Sequence, residues 1–181
     1  MLHFPDTPIN YETLGIQREW EIDMMTTLHF HRSIVVYNAE AMCEEFTDRS
    51  YLIDTLANAL NHDASKINGQ EYVPYLMKIY SEEAPIWYNV ETEFEYAKQI
   101  HVTTNPHHPE YWASPNLMPD AYIAEMVCDW AAMAHQNGNT TTDWAKDHAF
   151  SRWGFNDQKL GMIFEYATFT DSIMDALTCG S

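Results

Sequence analysis

From about residue 19 to residue 46 the chain runs without a glycine or a proline, and its apolar residues Ile22, Met25, Leu28, Val35, Ala39 and Met42 fall near helical spacing. A run of this length with a period near 3.6 predicts one long amphipathic helix and excludes a strand. The same pattern recurs along the chain. Asp48 or Ser50 is positioned to cap a second helix with the stripe Leu52, Ile53, Leu56, Ala59 and Leu60. That helix is expected to end near 62–66, before the stop signal Asn68-Gly69. A third helix is expected over about 70–80 with Pro74 inside it, and a fourth over about 85–100 with Pro85 in its first turn. A fifth, over about 120–136, places Tyr122, Ile123, Met126, Val127, Trp130 and Met133 inward. Thr140 or Thr141 opens a short helix to about residue 150, and Asn156 or Asp157 caps a last one to about residue 177. No alternating pattern of useful length occurs, so the fold class is all-α.

A length of 181 residues fits one domain. The expected division is an irregular lead-in over 1–18, which holds Pro5, Pro8 and Gly15, and a helical domain over 19–181. Acidic residues number 27 against 9 basic ones, a formal charge of −18. That balance argues against wrapping a long nucleic acid or docking on an anionic membrane. It leaves room for a small phosphorylated molecule, since one bound cation inverts the local field. No stretch is apolar enough to span a bilayer, and the N-terminal residues carry no secretory pattern. Cys43, Cys128 and Cys179 are odd in number and far apart, so no disulfide framework is expected. These features point to a soluble cytoplasmic domain.

The chemistry is expected at the histidines. His31 shares a helix face with Leu28, Val35 and Asn38 and is expected inward; His29 is one residue off that face. His62-Asp63 follows a buried stripe. Asp129 stands among Met126, Cys128, Trp130 and Met133, where an uncompensated carboxylate costs several kcal/mol. Two imidazoles and two carboxylates on three helices form a mixed nitrogen and oxygen donor set, suited to Mn, Fe, Co, Ni or Zn. Taken singly, each of these residues is more often structural than a ligand; their order is what carries the signal.

The succession His31, His62-Asp63, Asp129 resembles the H…HD…D signature of the HD-domain metal-dependent phosphohydrolases. The blocks NHDASKI (61–67), NPHHPEYW (105–112) and AEMVCDWAAMA (124–134), with Glu71, Tyr72 and Tyr75 between, are similar to a small HD-like family of bacterial and phage genomes that has no assigned function. The resemblance spans roughly residues 20–150. It implies a single-domain HD-like helical bundle holding one or two divalent transition ions, with His31, His62, Asp63 and Asp129 as ligands. It further implies a water held by Asp63 or Asp129, with Lys66 one helical turn beyond His62 and reaching a phosphate oxygen. Self-association is common in the superfamily.

Lys66 departs from the HD-x-x-E pattern of the nucleotidase branch, so proton transfer would pass to Glu71, His107 or His108. The HD-x-x-K pattern resembles instead the cyclic-dinucleotide phosphodiesterases and the diiron HD oxygenases, which hold two metals with extra histidines. His101, His107 and His108 are the candidates, though only a few residues separate His101 from the pair. Pro106 and Pro109 stiffen the segment that carries the last two, and Tyr111 and Trp112 are expected to anchor it. Glu110 reads as a structural partner, and Glu125, one turn before Asp129, as a carboxylate that orients a histidine. The expected function is hydrolysis of a small phosphorylated metabolite, most plausibly a nucleotide. A diiron oxygenase and a non-catalytic interaction protein on the same fold are the alternatives.

Overall fold

A computed structural model describes residues 14–179, with side chains to residue 176. The lead-in expected over 1–18 falls largely outside the described residues. Helix α1 spans Arg18–Glu45, α2 Leu52–Ala59, α3 Gly69–Ile79, α4 Val90–Thr104, α5 Asp120–Asn137, α6 Thr141–His148 and α7 Asp157–Cys179. Short 3-10 turns fill the connections at Ala64–Ile67, Ser81–Glu83, Pro109–Tyr111 and Pro115–Leu117. No strand forms among the described residues, and the fold is all-α. No described helix is long and apolar enough to cross a membrane.

Helix α5 is the hub. It packs on α1, α2, α6 and α7, and its buried residues Ala121, Ile123, Ala124, Met126, Val127, Cys128, Trp130, Ala131, Ala132 and Ala134 surround most of its circumference. A helix apolar all round must be enclosed, and its alanines let neighbours approach closely. It stops at Gly138, whose φ of 68° lets its N–H reach back to the carbonyls of Ala134 and His135. Helices α3 and α4 pack on each other to one side.

The apolar interior is divided. A large cluster joins Ile34, Val35, Ala39 and Met42 of α1 to α2, α5, α6 and α7. A smaller one joins Leu14, Trp20 and Met24 to Val73, Leu76 and Met77 of α3 and to Tyr88. His31 lies on α1 between these two clusters, so the polar site occupies the seam where they meet.

Several sequence expectations shift. The inward face of α1 begins with Trp20 and Met24; Ile22 is 56% exposed and Met25 only partly covered. Helix α2 ends at Ala59, before His62, and begins at Tyr51 without a side-chain cap from Asp48 or Ser50. Helix α4 starts at Val90 instead of Pro85, because the Asn89 side chain accepts from Thr92 N–H and fixes the start there. Pro74 is accommodated in α3, which runs unbroken from Gly69. Met133 points outward, its place taken by Ala131 and Ala134. The expected caps on the last two helices form: Thr140 accepts from Asp143 N–H and Asn156 from Lys159 N–H.

Candidate metal centre

Each element delivers a polar side chain to the seam. His31 comes from mid-α1 and is 6% exposed, whereas His29 faces solvent. His62 and Asp63 come from the turn after α2, Glu71 from the first turn of α3, and His101 from the last turn of α4. His107 and His108 come from the proline-flanked segment, Glu125 and Asp129 from α5. His62, Asp63, Glu71, His101, His107 and Glu125 are all buried. Asp129, 15% exposed at its side chain, and Lys66, 20%, form the outer edge.

Asp63 is the hinge of the arrangement. It is the only non-glycine residue with positive φ among the described residues, at φ 57° and ψ 21°. A left-handed conformation costs an L-residue about 1–3 kcal/mol, although aspartate tolerates it better than most. The turn lets the two carboxylate oxygens face different ways. Oδ2 lies 4.0 Å from His31 Nε2 and 3.8 Å from His62 Nε2. Oδ1 lies 3.1 Å from His101 Nε2 and 3.6 Å from His107 Nε2. Asp129 Oδ1 closes the first group, 3.0 Å from His31 Nε2 and 3.5 Å from His62 Nε2.

The site therefore has two donor groups that share Asp63. His31, His62 and Asp63 bring ligand atoms within 4.8 Å of one another, as do His62, His107 and Asp129, and also His101, His107 and His108. Hydrogen bonds do not account for this convergence. His31 Nε2, His62 Nε2, Asp63 Oδ1, His107 Nε2 and His108 Nε2 are buried without a hydrogen-bond partner. Buried polar atoms are hydrogen-bonded in the great majority of cases, and five ligand atoms that lie close to one another without a hydrogen bond are the arrangement that a cation satisfies. These residues fit a divalent transition ion, with imidazole and carboxylate as mixed donors.

Carboxylates behind two histidines hold the rings in place. Glu125 Oε1 lies 3.1 Å from His62 Nδ1, and Glu71 Oε2 lies 2.8 Å from His101 Nδ1. Each bond leaves the opposite nitrogen, Nε2, facing Asp63. Glu71 Oε2 also accepts from Ser65 Oγ at 3.0 Å, so the residue expected as a proton-transfer candidate stands behind His101 and orients its ring. The placement expected for Lys66, one helical turn beyond His62, changes. The helix does not continue past His62, and a 3-10 turn brings Lys66 Nζ to 2.6 Å from Asp63 Oδ2 and 5.2 Å from the centre of the Tyr75 ring.

Electrostatics separate the groups. Burial opposes charge on Asp63, but Lys66, His62 and His101 hold its carboxyl well below the usual range. Burial opposes charge on Asp129 too, and His31 and His62 hold it well below that range. His62 is pushed up to about 10, since Asp63, Asp129 and Glu125 outweigh its desolvation. His101 is raised against desolvation by Asp63 and Glu71. Burial lowers His107 well below its ordinary value and His108 to about 4. Two imidazoles with lowered values thus face two with raised ones.

The segment carrying His107 and His108 is pinned by Trp112 Nε1, which donates to Pro106 O at 2.9 Å, and by Glu110, which accepts from Trp153 Nε1 at 2.9 Å. Tyr111, expected as an anchor, is 44% exposed. Sequence reasoning missed Asn105 and Arg32. Asn105 Nδ2 donates to His101 O at 2.8 Å, and Arg32 Nε donates to His62 O at 2.7 Å. The available signal was position, since Asn105 opens the histidine segment and Arg32 follows His31 directly. A separate depression lined by His135, Asn139, Thr140 and Asp171 gathers no such donors, because Asp171 accepts from Thr141 N–H, Thr142 N–H and Thr142 Oγ1.

Comparison with known proteins gives one match. No curated protein and no solved structure matches the chain. The model of a family of unknown function, DUF5662, matches residues 20–169, which include every residue of the candidate centre. The chain belongs to the family of unknown function DUF5662.

Proposed function

We propose that the protein is an HD-type metal-dependent phosphohydrolase that cleaves a small phosphorylated metabolite of the nucleotide class. The observation that carries this reading is the convergence of five buried, unpaired donor atoms from His31, His62, Asp63, His107 and His108. His31, His62, Asp63 and Asp129 would hold a first ion, and His101, His107 and His108 with the other face of Asp63 a second. A bound Mn, Fe, Co, Ni or Zn ion supplies Lewis acidity toward a water and a phosphoryl oxygen.

The chain's own residues then divide the remaining work. Asp129, at the outer edge, accepts a hydrogen bond from the attacking water and orients it. Lys66 presents its ammonium on the solvent side of Asp63, where an arriving phosphoryl oxygen meets a point charge. His107 and His108, buried and neutral, are donors rather than acids at neutral pH, so proton delivery to the leaving group falls to solvent. Glu125 and Glu71 keep His62 and His101 aimed inward. The products are inorganic phosphate and the free hydroxyl compound.

One observation favours a second reading. The group His101, His107 and His108 gives the second position three imidazoles, a donor set suited to iron, and a diiron oxygenase would use it. The experiment is metal analysis of the purified protein, followed by phosphate release from a panel of nucleotides with Mn or Co and oxygen consumption with Fe. Phosphate release that is lost in Asp63→Ala supports the hydrolase. Oxygen consumption without phosphate release moves the assignment to the oxygenase. No metal after reconstitution removes both and leaves a helical interaction protein.

A further inference from the structure

Seven of the nine basic residues pair with a carboxylate: Arg49, Lys66, Lys78, Lys98, Lys146, Arg152 and Lys159. Arg32 does not, among the described residues, despite the 27 acidic residues of the chain. Its Nε donates 2.7 Å to the backbone carbonyl of His62, thirty residues away. The backbone bonds that shape this turn use the carbonyls of Ala59, Asn61 and Asp63, and Arg32 takes that of His62.

The position of that carbonyl matters because the peptide group is planar. The C=O of His62 and the N–H of Asp63 belong to one rigid plane, so fixing the first sets the direction in which the Asp63 backbone leaves. Asp63 is the residue held at φ 57°, and its two oxygens face the two donor groups. Relaxation of this turn toward an ordinary backbone conformation swings the carboxylate away from at least one of them.

We infer that Arg32 is a positioning residue for the metal centre, locking the His62–Asp63 peptide so that Asp63 presents one oxygen to each donor group. The inference rests on the metal-centre reading given under Proposed function. It also makes a prediction opposite in sign to simple electrostatics. Removing a positive charge near a cation site strengthens cation binding through Coulomb attraction alone, whereas losing the clamp weakens it.

The test is Mn2+ titration by calorimetry, with helix content read by circular dichroism, on the wild type, Arg32→Met, Arg32→Lys and Arg49→Met. Methionine keeps the apolar stem and deletes the donor; lysine keeps a donor and the charge. Arg32→Met is expected to bind Mn2+ about 10- to 100-fold more weakly with helix content retained, the range for losing a group that orients a ligand. Arg32→Lys is expected to recover most of that loss, and Arg49→Met to leave binding unchanged. Arg32→Met that binds as tightly as wild type, or more tightly, overturns the inference, as does Arg32→Lys binding as weakly as Arg32→Met. Arg32→Gln is read in the same way if the methionine variant does not fold. Wild-type protein that takes up no metal fails the metal reading itself, and this inference with it.

Discussion

The two donor groups around Asp63 are built from similar atoms, yet His62 in one and His107 and His108 in the other are shifted in opposite directions. On the Oδ2 side, His31 and His62 face Asp129 as well as Asp63, with Glu125 behind, and His62 holds its proton up to about 10. On the Oδ1 side, His101 and His107 face one carboxylate oxygen with His108 beside them, and His107 and His108 are lowered, the latter to about 4. The difference shows that carboxylates, more than histidine number, set the character of each side. The first is a negatively charged pocket in which His62 must shed a proton before it ligates. The second offers His107 and His108 as neutral imidazoles already in ligand form. A hard, charge-driven ion suits the first, and a nitrogen-preferring one suits the second.

The strongest way to break the comparison is to remove what the two sides share. Asp63→Ala is expected to bind no ion on either side and to abolish turnover, with the helices intact by circular dichroism; metal analysis retaining a full complement would refute a shared carboxylate. Next come variants that separate the sides. His31→Ala is expected to remove the first ion, and His108→Ala the second only, read as metal per chain. Loss of both ions in His108→Ala would show one coupled site in place of two.

Smaller effects follow from the carboxylates behind the rings. Glu125→Gln is expected to weaken the first ion and Glu71→Gln the second, each about 10- to 100-fold. Equal effects of the two on one titration step would contradict the pairing of Glu125 with His62 and of Glu71 with His101.

The smallest effect is on the stability of metal-free protein against pH, where His107 and His108 act on one limb and His62 on the other. His107 and His108 have folded pKa values below the unfolded value of about 6.5. Their contribution is present above 6.5 and lost as pH falls, for His108 through about 4. His62 is raised, so its contribution is complete below about 6.5 and is lost as pH rises through about 10. Metal-free protein should therefore be most stable near pH 6.5, with His108→Asn flattening the acid limb by on the order of 2 kcal/mol. Thermal unfolding from pH 4 to 10 reads this directly, and a monotonic profile would discredit the charge contrast.

Much of this was legible in the sequence because it is local. The glycine- and proline-free run of α1 and the apolar pattern of α5 are set by residues within a few turns of each other. The inward turn of His31 followed from the 3.6-residue period, while His29 stayed a competing candidate until the structure placed it facing solvent. The pairing of Glu125 with a histidine followed from its place one turn before Asp129. Expectations failed where a distant contact overrode the local pattern. Ile22 and Met133 have the right spacing to be buried, yet no neighbour covers their faces as it covers Trp20, Ala131 and Ala134.

The sequence by itself determined that this chain is helical, that histidines and aspartates are its candidate ligands, and that His31 and Asp129 turn inward. Tertiary structure decided that His101, His107 and His108 stand beside Asp63, that Glu71 orients a ring, and that Lys66 meets Asp63 across a 3-10 turn. It also decided the left-handed backbone at Asp63, on which both donor groups depend. Periodicity fixes which side of a helix is covered. Which carboxylate lies behind which imidazole depends on how α3, α4 and α5 dock, and docking is settled by burial summed over residues far apart in the chain.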